Sequence, residues 1–226
     1  MSSKNVKITP LVLSTGLISF VATALMAWVF VITEAPIAAA QQQKNTAALS
    51  QVLPAFDNQP LQEAVTLNGV TFYTARKDGQ IAGFAGETIS TKGYAGEINV
   101  LAGLKPDGTI TTVLVTKQSE TPGLGTVVAE RVREKTISDL FKKETAEGAA
   151  AELPAKTGGL PPNRILDQFN GMKAVAGQTP WAVKKDGGEL DAITGATITS
   201  RAVGGAVFAI AETFAQNKEQ LLKETK

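Results

Sequence analysis

Residues 8–33, ITPLVLSTGLISFVATALMAWVFVIT, carry no charge over 26 consecutive positions. As a helix, such a run rises about 39 Å, more than the roughly 30 Å of a bilayer's hydrocarbon core. Lys4 and Lys7 precede it and Glu34 follows it. That asymmetry predicts a cytoplasmic N-terminus and a translocated C-terminal domain. A cleaved signal peptide also opens on an apolar run, and Ala38-Ala39-Ala40 supplies small residues for cleavage. Signal h-regions are shorter, however, at about 7–15 residues. The expectation is an uncleaved single-pass anchor over residues 1–34. Residues 35–60, rich in Ala, Gln and Pro, read as a stalk, helical over 38–52 and broken at Pro54.

Beyond residue 60 the period shortens to two. Residues 70–74 and 81–85 are β-like and enclose Arg76-Lys77-Asp78-Gly79, a hairpin signal. Residues 97–104 and 109–116 repeat the device around Lys105-Pro106-Asp107-Gly108, with Ile98, Val100 and Ala102 alternating. Lys184-Lys185-Asp186-Gly187-Gly188 is a third Asp-Gly turn. Together they predict an antiparallel meander.

Two stretches have helical spacing. Residues 126–143 carry Val127, Val128, Val132, Ile137, Leu140 and Phe141. Residues 200–223 carry Val203, Val207, Ile210, Phe214 and Leu221 on one face. Gly204 and Gly205 cost that helix about 1 kcal/mol each relative to Ala. They signal either close approach of a neighbour or fraying near the first turn. Residues 145–163 are small and Pro-rich and read as an exposed loop. The fold class is α+β: a domain over residues 61–226 of antiparallel sheets packed with helices.

Composition removes whole chemistries. The chain has no Cys and no His. Thiolate nucleophiles, Ser-His-Asp triads, Cys-ligated iron–sulfur clusters and ordinary zinc sites are therefore excluded. No metal site and no catalytic residue is predicted. A net charge of +1 offers no basic face for nucleic acid. If the protein is redox-active, an organic cofactor must supply the chemistry.

Three stretches are candidates for holding one. In Asp191-Ala192-Ile193-Thr194-Gly195-Ala196-Thr197-Ile198-Thr199-Ser200, hydroxyls crowd a Gly turn ahead of a helix. A helix N-terminus attracts phosphate through its unpaired N–H groups. The same pattern also describes a plain turn with Thr199 or Ser200 as N-cap. In Ser119-Glu120-Thr121-Pro122-Gly123-Leu124-Gly125, Pro-Gly predicts a type II turn between a strand and a helix. In Trp181-Ala182-Val183-Lys184-Lys185-Asp186-Gly187-Gly188, Lys184 or Lys185 can neutralise a phosphate, or simply cap a solvated hairpin. Residue chemistry alone does not choose among Thr194, Thr197, Thr199 and Ser200.

In combination and order, these three motifs resemble the G subunit of the Rnf electron-transport complex. The related C subunit of the sodium-pumping NADH:quinone oxidoreductase shares them. The resemblance spans nearly the whole chain, anchor included, but not the 145–163 loop. It implies that Asp-x-x-Thr-Gly-Ala-Thr is a flavinylation signal, with FMN joined by a phosphoester to Thr197. Gly195 and Ala196 would let the backbone approach the phosphate, and Asp191 and Thr194 would belong to the recognition signal. Glu120, Thr121, Leu124 and Lys184 would contact the ring or the phosphate. The implied partners are a flavin transferase and the other subunits of an Rnf-type complex in the bacterial inner membrane, coupling electron transfer to Na⁺ or H⁺ movement. The chain alone is not expected to be catalytic. The alternative is a membrane-tethered phosphate-ligand binding or structural assembly subunit without covalent flavin.

Overall fold

The computed structural model describes residues 8–131 and 160–223. The chain divides into two compact units, Met1–Ala47 and Ala48–Lys226. Helix α1 (Ile8–Val52) is unbroken over 45 residues and includes Pro36. The charge-free run and the predicted stalk helix are thus one element. Val12–Val52 is long and apolar enough to cross a membrane. Between Val12 and Ile37 its large side chains, among them Leu13, Phe20, Met26 and Trp28, are exposed. A helical stretch apolar all round suits a lipid environment.

The second unit is built on one five-stranded antiparallel sheet: β1 (Val65–Leu67), β2 (Val70–Lys77), β3 (Gln80–Ser90), β4 (Ile98–Leu104) and β5 (Ile110–Lys117). The strands lie in chain order, so the predicted meander is present. Asp78 and Gly79 take φ of 52° and 74°, as a tight β2–β3 turn requires. Strand β1 is an addition to the predicted set. Its turn, Asn68-Gly69 with φ of 49° and 78°, has the same left-handed pair.

Alternation along the strands gives the sheet two apolar faces. On one, Val70, Phe72, Phe84, Val100 and Val113 meet helix α2 (Thr197–Lys223) through Val203, Val207, Ile210 and Phe214. The Phe214 ring lies 5.1 Å from Phe84 and 6.1 Å from Phe72, centre to centre. Gly86 admits the helix: a Cβ there would collide with Ile210 Cγ2. On the other face, Leu49, Val52 and Leu53 cover Tyr73, Ala75, Ala85 and Leu101.

Three expectations need correction. Helix α2 begins at Thr197, three residues before the predicted start, because Ala196 rather than Ser200 accepts the first helical N–H. The predicted helix over 126–143 is a short 3₁₀ turn, Gly125–Val128, where its residues are described. Val128 is buried in the core and Ala129 closes the turn, so no amphipathic face develops there. The remainder, from 132 on, lies outside the described residues, as does most of the 145–163 loop. The third Asp-Gly turn is not an antiparallel hairpin. Lys184–Asp186 forms a 3₁₀ turn, and Val183 bridges Leu190 in parallel. Gly187, at φ 83°, reverses the chain, and Gly188 packs where a Cβ would collide with Ala182 O. The two glycines of α2 also separate. Gly204 is buried, with a Cβ position 3.2 Å from Leu190 Cδ1, whereas Gly205 faces open space.

Candidate functional site

Two turns converge on the N-terminus of α2. Thr121 O accepts the Leu124 N–H at 3.2 Å, and Gly123 has φ 74°, so Thr121-Pro122-Gly123-Leu124 is the type II turn its sequence predicts. Ile193 O accepts the Ala196 N–H at 3.0 Å, closing a second turn through Gly195 at φ 83°. A side chain at Gly195 would be strained by that φ, and its Cβ would sit 3.4 Å from Leu124 Cδ2. The glycine thus lets the two turns touch.

Between them lies a hollow of about 670 Å³, within the usual range for a small-molecule site. Thr121, Leu124, Gly195, Ala196 and Thr197 line it, with Glu120 in the wall. Lys185 and Arg201 bring positive charge to its rim.

The four hydroxyls of residues 194–200 differ in their surroundings. Thr199 is 1% exposed and donates to Glu120 Oε2 at 2.8 Å. Ser200 is 4% exposed; its Oγ accepts from Ile193 N–H and donates to Ala196 O. Thr194 is exposed but does not line the hollow. Thr197 is partly exposed, lines the hollow, and has no side-chain hydrogen bond among the described residues. As the first residue of α2, it also stands beside N–H groups that have no partner within the helix.

Asp191 and Lys184 lie beside this hollow but do not line it. Lys184 Nζ donates to Asp191 Oδ1 at 2.7 Å, and Arg164 donates to Oδ2 at 3.2 Å. The Lys184 ammonium, seconded by Arg164, holds the Asp191 carboxyl below the ordinary range. Gln168 clamps the Asp191 backbone, accepting its N–H at 2.7 Å and donating to its carbonyl at 3.2 Å. The aspartate therefore braces the approach to the turn through Gly195.

Sequence reasoning missed Arg201, Ile198 and Tyr94, which also line the hollow. Arg201 lies four residues after Thr197, and the two share a helix face only because α2 starts at Thr197 rather than Ser200. Arg201 forms two bonds of 2.6 Å to the Asp186 carboxylate, which that fork holds below its ordinary pKa. Tyr94 comes from the β3–β4 connection and carries no local signal.

A family model described as FMN-binding domain matches residues 93–212, more than half of the chain. Named relatives match nearly end to end. The G subunit of the ion-translocating oxidoreductase complex of Vibrio cholerae is 34% identical over 89% of this chain and 87% of its own length. The protein of the same name from Haemophilus influenzae is 34% identical over 83% and 81%. That from Aliivibrio fischeri is 31% identical over 92% and 90%. This chain belongs to the G-subunit family of ion-translocating oxidoreductase complexes. The matched FMN-binding region contains the whole lining of the hollow, from Tyr94 to Arg201. The hollow's donor set suits FMN. A free hydroxyl, a helix N-terminus and two cationic side chains meet the phosphate's chemistry, and Leu124, Ile198 and Tyr94 give apolar surface for a ring.

Proposed function

We propose that this G-subunit family member is a flavoprotein subunit of an inner-membrane, ion-translocating oxidoreductase complex, and that its FMN is joined by a phosphoester to Thr197 Oγ. The observation that carries the linkage is the contrast among hydroxyls. Thr199 and Ser200 are buried and bonded, whereas Thr197 is accessible, unengaged and over the hollow. Attachment is a group transfer from FAD by a flavin transferase. The Thr197 Oγ–P bond forms, the pyrophosphate P–O bond breaks, AMP leaves, and the threonine hydroxyl loses its proton. No electrons move in that step.

The resulting diester keeps one negative charge, which the first turn of α2 and Lys185 stabilise. When bound, FMN supplies the electron transfer that a chain without Cys or His cannot. The protein positions the cofactor and restricts water around it. Asp191 and Thr194 serve recognition by the transferase, and Glu120, Thr121 and Leu124 shape the ring site. Lys4 and Lys7 before the anchor support a domain outside the cytoplasm. Coupling to Na⁺ or H⁺ movement belongs to partner subunits, because one membrane span with no charge over residues 8–33 forms no ion path.

The test is intact mass and in-gel ultraviolet fluorescence after co-expression with a flavin transferase. Wild type gains the mass of FMN less water and keeps it on denaturation. Thr197→Ala stays folded and loses both signals, and Thr197→Ser keeps them. Fluorescence persisting in Thr197→Ala would move the linkage to another residue.

A further inference from the structure

Glu120 is 4% exposed and stands in the wall of the Thr197 hollow. Two donors from distant segments hold its carboxylate. Ala95 N–H donates to Oε1 at 3.2 Å, and the Thr199 hydroxyl donates to Oε2 at 2.8 Å. Two glycines make room for it. A Cβ on Gly93 would lie 2.7 Å from Oε1, and one on Gly125 would lie 2.7 Å from Oε2.

Both donors are neutral. Among the described residues no Lys or Arg forms an ion pair with Glu120. Arg201, which lines the same hollow, is committed to Asp186. Each carboxylate oxygen thus has one neutral partner, a backbone N–H on Oε1 and a hydroxyl on Oε2. Shielded from solvent, such a charge acts at a lower effective dielectric than a surface charge does.

We propose that Glu120 tunes the flavin electrostatically: its buried, cation-free carboxylate disfavours negative charge on the reduced cofactor and lowers the midpoint potential. The proposal rests on the reading that FMN occupies the hollow. Each electron the flavin takes from a donor adds one negative charge, which is cancelled only when a proton from solvent follows. A fixed anion in the wall raises the free energy of that added charge. The electron is then passed onward more readily.

The experiment is a dithionite titration, with mediators, of full-length protein in detergent after loading by co-expressed transferase. Wild type that carries no FMN mass after denaturation overturns the covalent reading itself. With wild type loaded, Glu120→Gln keeps size and hydrogen bonding but removes the charge, and its midpoint rises. Thr199→Val removes one donor and leaves the charge less compensated, so its midpoint falls. Opposite shifts support the proposal. An unchanged midpoint in Glu120→Gln, or two shifts of the same sign, overturns it. If Glu120→Gln fails to load, Thr199→Val decides: a lowered midpoint supports the proposal, and an unchanged or raised one overturns it.

Discussion

Lys184 donates to Asp191 at 2.7 Å, across seven residues, while its neighbour Lys185 lines the hollow at Thr197. The 3₁₀ turn that holds both lysines thus divides their tasks. One braces the loop ahead of the turn through Gly195, and the other brings charge to the hollow. Lys185→Met should slow covalent flavin attachment by about fivefold at most, the effect of one exposed charge. Raising the salt should erase the difference. The rate of in-gel fluorescence gain with FAD and transferase measures it. A slowing that salt does not touch would mean that Lys185 shapes the hollow rather than charging it.

The Asp191 brace carries a pH signature. Lys184 and Arg164 hold the carboxyl below its ordinary value of 3.8, so the folded state resists protonation more than the unfolded state does. The stability this adds is present above the unfolded value. It is lost as pH falls through the lower, folded one. Lys184→Met should therefore lower the urea midpoint near about pH 6 and converge with wild type near about pH 2. A gap between the two curves that stays constant through the acid range would show that the pair does not titrate this way.

The sheet and the buried face of α2 were largely legible in the sequence. Asp78-Gly79 and Asp107-Gly108 mark hairpins through a local backbone requirement, and local requirements survive in sequence. The spacing of Val203, Val207, Ile210 and Phe214 gives the buried face of α2 for the same reason. The rest depends on tertiary contact. Val127 and Val128 suggest a helix, yet Val128 is buried in the core and the turn closes at Ala129. Nothing local shows that Glu120 meets Thr199, 79 residues away, and so withdraws one candidate hydroxyl. The choice between Lys184 and Lys185 likewise needed the position of Asp191.

Gly86 sets how closely α2 approaches the sheet. Gly86→Ala would drive its Cβ into Ile210 Cγ2, with the Phe72 ring edge also within 3.1 Å. Overpacking of this kind costs about 1–3 kcal/mol in urea unfolding. Ile210→Ala alone leaves a cavity and costs about 2–5 kcal/mol. Combined, the two should be less destabilising than their sum, because the new methyl enters the space the isoleucine vacates. Strict additivity would show that the helix shifts away instead.

Asn163 ties the two described segments of the second unit together. Its side-chain N–H groups donate to Val128 O at 3.1 Å and Glu130 O at 2.7 Å. Its Oδ1 accepts from the N–H groups of Ile165 and Leu166, both at 2.9 Å. Arg131 adds bonds to Pro161 O and Asp167 Oδ1, each 2.9 Å, and to Val113 O at 2.8 Å. The segments entering and leaving residues 132–159 are thereby fastened side by side. Asn163→Ala would strand four backbone groups at a site only 6% exposed. Unsatisfied buried groups of this kind put the loss of stability on the order of 2–4 kcal/mol. Asn163→Asp should also destabilise, since it turns a carboxylate oxygen toward two carbonyls. Neither change touches the hollow, so any folded fraction should still gain covalent flavin. Urea unfolding followed by Trp181 fluorescence measures the first effect, and intact mass measures the second. An Asn163→Ala midpoint equal to wild type would mean that water replaces the amide without loss.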